Sequence, residues 1–205
     1  MSGVKLRVFV PAVLTGITVT CTCEASDGED RAAAAAAPVA AQGRQPVHTR
    51  EVFSFVANAR FSDVFPLFGA DRERVWAPGW DPRFVWPAAP SDREGVVFQV
   101  TGRDRIATWV NTVFDSSAGR VQYVYVVPEV VVTVISIALH PQHDTTDVVV
   151  RYDRTSLSAE SDAAVTAMAE HDRAAGPEWS MQINRYLIRS ARLAGRDGAV
   201  TDAKR

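Results

Sequence analysis

The side chains able to do chemistry in this sequence are few, and none of them form a known catalytic motif. His140 and His143 flank Pro141-Gln142, and with Asp144 they offer imidazole and carboxylate ligands to an adventitious metal in what reads as a hairpin loop. No built metal site is expected there. His48 and His171 belong to no motif. Both cysteines, Cys21 and Cys23, lie near the N-terminus, so the remainder has no thiol nucleophile, thiolate metal site or internal disulfide. The sequence has no nucleophile elbow, phosphate-binding glycine loop, dinucleotide fingerprint or zinc-protease motif, so neither a metal nor a cofactor is expected. The polar groups left for work inside a fold are Asn111, Arg154 and Glu160. Asn111, mid-strand, would hydrogen-bond a carbonyl or hydroxyl if it pointed inward. Arg154 would sit near a cavity rim or pair with Asp153 or Glu160.

The aromatic residues are more informative. Trp76–Pro87 (W-A-P-G-W-D-P-R-F-V-W-P) holds three of the five tryptophans together with three prolines. Each proline fixes φ and removes a backbone donor, which pins the segment in turns and extended pieces. Each indole needs cover for roughly 150–250 Å² of ring. The segment therefore reads as a stiff aromatic flap over a hydrophobic interior, with Trp76, Trp80 and Trp86 closing one end.

Composition sets the outer limits. The 205 residues carry a net charge of −2, 47% hydrophobic and 22% charged residues. That suits one soluble domain with a tail, and no basic field argues for nucleic acid. The valine-rich stretch Val124–Leu139 is interrupted by Pro128, Glu129 and Thr133 and reads as two strands, so no integral membrane span is expected in the domain.

The elements that must position these residues follow from periodicity. Thr49–Ala57 alternates as a strand. Phe61–Phe68 and Asp71–Val75 read as two short helical segments, the first capped by Ser62. Five strands follow near Val96–Thr101, Ile106–Phe114, Arg120–Val127, Val130–Leu139 and Asp147–Arg154, joined by hairpin-length breaks as an antiparallel meander. Ser158 caps a helix to about Asp172, and Pro177 opens a second, closed by Gly195. Trp179, Ile183, Tyr186, Leu187, Ser190 and Ala194 mark its sheet-facing side. Arg185, Arg189 and Arg192 form a basic stripe elsewhere on it, which reads as a solvated face near a helix C-terminus.

Residues 1–25 outline a signal peptide or lipoprotein leader: Lys5 and Arg7, an apolar run from Val8 to Thr20, then Cys21-Thr-Cys23-Glu-Ala25. Cleavage after Ala25, lipidation at Cys21, or an upstream start that is not used are the alternatives. Export to the periplasm or a lipid anchor follows from the first two, a cytoplasmic protein from the third. Residues 26–47 are an Ala/Pro-rich tether, 48–195 the domain, and 196–205 a disordered tail.

A strand, two short helices, a curling antiparallel meander and a final long helix resemble the START-related helix-grip superfamily, also called SRPBCC. The resemblance runs from about Thr49 to Leu193. It rests on E-R-V-W-A-P-G-W-D-P-R-F-V-W-P at 73–87, G-V-V-F at 95–98, T-W-V-N-T at 108–112, Y-V-Y-V-V-P at 123–128, T-T-D-V-V-V-R-Y-D-R-T-S-L at 145–157 and E-W at 178–179. The chain looks most like bacterial members without an assigned activity. The implied fold class is α+β, a curved antiparallel sheet wrapped around a long C-terminal helix, with a cavity between them. Residues expected to line that cavity are Trp76, Trp80, Trp86, Phe98, Trp109, Asn111, Tyr123, Tyr125, Tyr152, Trp179 and Ile183; Val148 and Val150 share the inner face. Three functions fit: binding of a hydrophobic small molecule (lipid, aromatic or polyketide-like), a cyclase or dehydratase acting on such a ligand, or a protein-interaction domain with a filled interior. A cavity holding a perturbed acid or base would favour the enzyme.

Overall fold

The structure, a computed structural model, describes residues 43–102 and 105–202, with side chains to residue 193. The leader and nearly all of the tether lie outside the described residues. Seven antiparallel strands form one curved sheet: β1 (His48–Ala57), β2 (Pro82–Trp86), β3 (Val97–Thr101), β4 (Ile106–Asp115), β5 (Arg120–Val127), β6 (Val131–Pro141) and β7 (Thr146–Ser156). Their spatial order is β1-β7-β6-β5-β4-β3-β2. The meander from β3 to β7 is formed by successive hairpins, and β1 closes it by pairing with β7 in the register His48↔Thr155 to Ala57↔Thr146.

Period-two alternation decides which face is inside. On β5, Val121, Tyr123, Tyr125 and Val127 are buried; on β7, Val148, Val150, Tyr152 and Arg154 are. Two helices cover that face, α2 (Asp162–Ala174) and α3 (Gly176–Asp202). Asn184 ties α3 to β1: its amide donates to the Val56 carbonyl at 3.0 Å and its oxygen accepts from the Asn58 N–H at 2.7 Å. Gly176 lets the helix start against Phe53, because a Cβ there would lie 3.3 Å from the ring. Ile183 is fully buried beneath the helix, a placement that stabilises by about 1.5–3 kcal/mol for a side chain of that size.

Several local expectations are corrected. The first helical segment starts at Phe61 as expected but is capped two residues earlier: the N–H groups of Asp63 and Val64 both donate to the Arg60 carbonyl, so Arg60 rather than Ser62 is the N-cap. It is α-helical only over Phe61–Val64 (α1) and tightens to a 3₁₀ turn over Phe65–Phe68, where Pro66 cannot donate. Part of the tryptophan–proline segment is regular: Pro82–Trp86 adds edge strand β2 to β3, an edge position where a missing proline donor is tolerated. Ser158 does cap, with Ser161 completing a capping box around a 3₁₀ turn at Ala159–Ser161. Helix α3 passes through Gly195 rather than stopping at it.

Candidate functional site

A cavity of about 120 Å³ lies between the sheet and the α2–α3 side, walled by Trp76, Trp80, Trp109, Tyr123, Ile135, Ile137, Tyr152, Ala175 and Trp179. Glu73, Arg154 and Asp172 add charge to the wall, while Ala77, Pro78, His171, Glu178 and Gln182 complete the lining. The sequence reading named six of these: Trp76, Trp80, Trp109, Tyr123, Tyr152 and Trp179.

The flap is held by its polar tips. The chain from Leu67 to Ala70 leaves carbonyl groups unmatched by regular structure, and aromatic donors satisfy three of them. Trp76 Nε1 donates to the Leu67 carbonyl at 2.6 Å, Tyr123 Oη to that of Phe68 at 2.8 Å, and Trp80 Nε1 to that of Ala70 at 2.7 Å. Leucine or phenylalanine in these places would leave buried carbonyls unpaired, each at a cost of about 1–3 kcal/mol. The rings then stack against each other. Trp80 meets Trp109 edge-on at 5.3 Å, and Trp109 stacks on Tyr125 at 4.2 Å.

The remaining expected lining residues lie elsewhere. Phe98 is fully buried behind the cavity wall, 5.8 Å from both Trp80 and Trp109. Tyr125 and Ile183 are buried outside the lining. Trp86 does not close the cavity: it is 56% exposed at the sheet edge, with the Arg93 guanidinium 5.2 Å above its ring. Asn111 points inward from β4 and is fully buried; among the described residues neither its amide nitrogen nor its oxygen has a protein partner, and Trp109 Nε1 is in the same position. Glu160 is exposed. His140 is exposed, and His143 meets Asp144 only at 3.9 Å on the surface.

Arg154 pairs with neither Asp153 nor Glu160. From β7 it reaches Asp172 on α2 as a two-pronged bond, Nε to Oδ2 at 2.5 Å and Nη2 to Oδ1 at 2.8 Å. Its Nη1 donates to Thr133 Oγ1 at 3.0 Å and to the Tyr125 hydroxyl. The guanidinium carbon also lies 4.7 Å from the centre of the Tyr152 ring. Arginine is chosen here because its planar fork can engage a carboxylate and two hydroxyls at once. The near-neighbour acids of the sequence could not fill this role. Asp153 faces the other side of β7, where it binds Arg50 at 2.5 Å and Arg151 at 2.8 Å.

Sequence reasoning missed Asp172 and, elsewhere in the wall, Glu73. It sits in the 3₁₀ turn Arg72–Val75, its N–H bonded to the Gly69 carbonyl at 3.0 Å, and its side chain is buried in the cavity wall. Burial pushes its carboxyl up to about 8, helped by the negative charge of Asp92. Asp92 is placed by Gly69: a Cβ on that glycine would fall 2.3 Å from the Asp92 carboxyl carbon. Oδ1 of Asp92 accepts the Asp71 N–H at 2.7 Å, and burial raises Asp92 as well. Tyr123, opposite, is raised well above the usual phenol range by burial, then by Glu73 and Asp92. The one sequence sign of Glu73 was an acid three residues before Trp76 in a segment otherwise committed to burial.

The fold has counterparts among solved structures. Norcoclaurine synthase from Thalictrum flavum superposes with a TM-score of 0.54 at 11% identity, covering 72% of this chain and 97% of its own. The same enzyme in complex with dopamine and hydroxybenzaldehyde gives 0.52 at 12% identity, covering 72% and 94%. An uncharacterized protein from Rhizobium leguminosarum gives 0.51 at 13% identity, covering 69% and 97%. No family model and no curated protein matches the sequence. At these identities the likeness reaches as far as the helix-grip fold, and any activity must be argued from the cavity itself.

Proposed function

We propose that the protein binds a small aromatic or otherwise apolar molecule in this cavity and exchanges a proton with it through Glu73. The observation carrying the reading is the burial of the Glu73 carboxyl in a hollow walled by four tryptophans, which pushes its pKa up to about 8. At neutral pH this group is a buried acid able to donate to a carbonyl or hydroxyl. It is also a stronger base than ordinary glutamate once ionised, and a pKa near the working pH is what general acid–base chemistry requires. The cavity volume is close to that of cavities that hold benzene, so one ring fills it. Norcoclaurine synthase, which shares the fold, has been seen with hydroxybenzaldehyde and dopamine, molecules of that size. Longer lipids or polyketides would need the tryptophans to part.

Phenylacetone supplies the test, because its α-protons exchange with D₂O by proton transfer to a base and back. Wild-type protein should accelerate that exchange, and Glu73→Gln should abolish the acceleration while still quenching tryptophan fluorescence on binding. Equal exchange in both proteins would remove Glu73 from any chemistry. Passive binding is the second reading, favoured by the commitment of the Tyr123 hydroxyl and the Arg154 guanidinium to protein partners. Quenching without exchange would select it.

A further inference from the structure

Four cavity-lining residues, Trp76, Ala77, Pro78 and Gln182, also line a second hollow, a groove of about 270 Å³ that adds Arg74, Arg185 and Arg189. The two hollows thus share a wall formed by the tryptophan flap and one position of α3. Their electrostatics differ. Arg74 is already committed, to Asp71 at 3.0 Å, to Asp81 and to the Pro82 carbonyl. Arg185 and Arg189 stand one helical turn apart on the exposed side of α3, and among the described residues neither forms an ion pair. No acidic side chain lines the groove. Two guanidiniums at i and i+4 repel each other on a helix surface, so the sequence pays for this placement unless an anion sits between them.

Resting on the cavity reading above, we propose that the groove is an anion subsite, and that the ligand is amphipathic: a ring in the cavity and a carboxylate or phosphate held by Arg185 and Arg189. Guanidinium forks bind both anions through paired N–H donors. Glu73 does not oppose such a ligand, because its carboxyl is largely neutral at pH 7. Gln182, on the shared wall, offers an amide where the ligand would cross from one hollow to the other.

The full chain is titrated by tryptophan fluorescence with phenylacetate, 3-phenylpropionate and 4-phenylbutyrate, each beside its methyl ester. One acid length should bind about tenfold more tightly than its ester, the equivalent of about 1.4 kcal/mol, and high salt should erase the difference. Arg185→Gln with Arg189→Gln should erase it too, leaving ester affinity unchanged; both side chains are exposed, so the fold is not at stake. Phenethyl phosphate in a parallel arm distinguishes a phosphate from a carboxylate preference. Equal binding of acids and esters, or a preference that survives the double substitution, overturns the subsite and leaves the cavity reading standing. Failure of acids and esters alike overturns both.

Discussion

Trp76, at the end of the 3₁₀ turn Arg72–Val75, and Trp179, from the start of α3, meet with ring centroids 5.3 Å apart at 60°. The two are held differently. Trp76 is buried and fixed by its bond to Leu67, while Trp179 is half-buried and leans on Phe53 at 5.5 Å and Phe68 at 6.4 Å, with no polar anchor among the described residues. Trp179 is therefore the less firmly anchored side of the cavity.

Replacing it with alanine should cost about 2–3 kcal/mol in urea denaturation, less than a fully buried tryptophan, and should admit larger rings. A loss below 1 kcal/mol would mean that the aromatic contacts contribute little and that the helix, not the ring, shapes the wall.

Trp80→Ala should be more costly, about 3–5 kcal/mol, because the indole is buried and its N–H satisfies Ala70. Trp80→Phe, which keeps most of the ring but not the donor, separates packing from hydrogen bonding. A Trp80→Phe variant as stable as wild type would show the bond to be dispensable.

The pH dependence of stability should carry the mark of Glu73. Its carboxyl titrates near 8 in the folded protein and near about 4.3 when unfolded, so the fold favours the protonated form. That contribution is complete below the unfolded value and is lost as pH rises through 8, with a slope of up to about 1.4 kcal/mol per pH unit in between. Melting temperatures of wild type and Glu73→Gln should converge at acid pH and diverge towards alkaline pH, the variant being the more stable. Parallel curves would place the group in solvent.

Arg154 and Asp172 make a buried pair whose halves depend on each other. Arg154→Met should destabilise by about 3–5 kcal/mol because it strands the carboxylate, and Asp172→Leu should do the same by stranding the guanidinium. Combining the two should recover a large share of the loss. Additive losses in that double-mutant cycle would mean the pair contributes through its separate bonds to Tyr125 and Thr133.

What was legible in the sequence was whatever periodicity and turn chemistry determine alone. The alternation at Val121–Val127 fixed the inward set of β5, and breaks such as Asp115–Gly119 fixed the meander. Gly119, at φ +62 with Leu139 O only 2.3 Å from where a Cβ would be, shows why that turn needs glycine. The cavity was only partly legible. Trp76 and Trp80 point inward and Trp86 outward because Pro82–Trp86 pairs with β3, and a pairing partner cannot be read from one segment. Glu73 and Asp172 were hidden for a related reason: each is an ordinary acid in a helical turn until Asp92 or Arg154, 18 residues from Asp172 in sequence, is brought against it.

The sheet order also dictates when the molecule can be completed. The pairing of β1 with β7 joins His48 to Thr155 across 107 positions, so β1 has no neighbour in the sheet until β7 has been made. Until then Phe53 and Phe55, both core residues, wait on an unpaired edge. Closing so long a loop is entropically slow, and it is on this strand that α3 docks through Asn184. The helix that carries Trp179 therefore rests on a strand held by the longest-range pairing of the sheet, and the cavity beneath that helix depends on it.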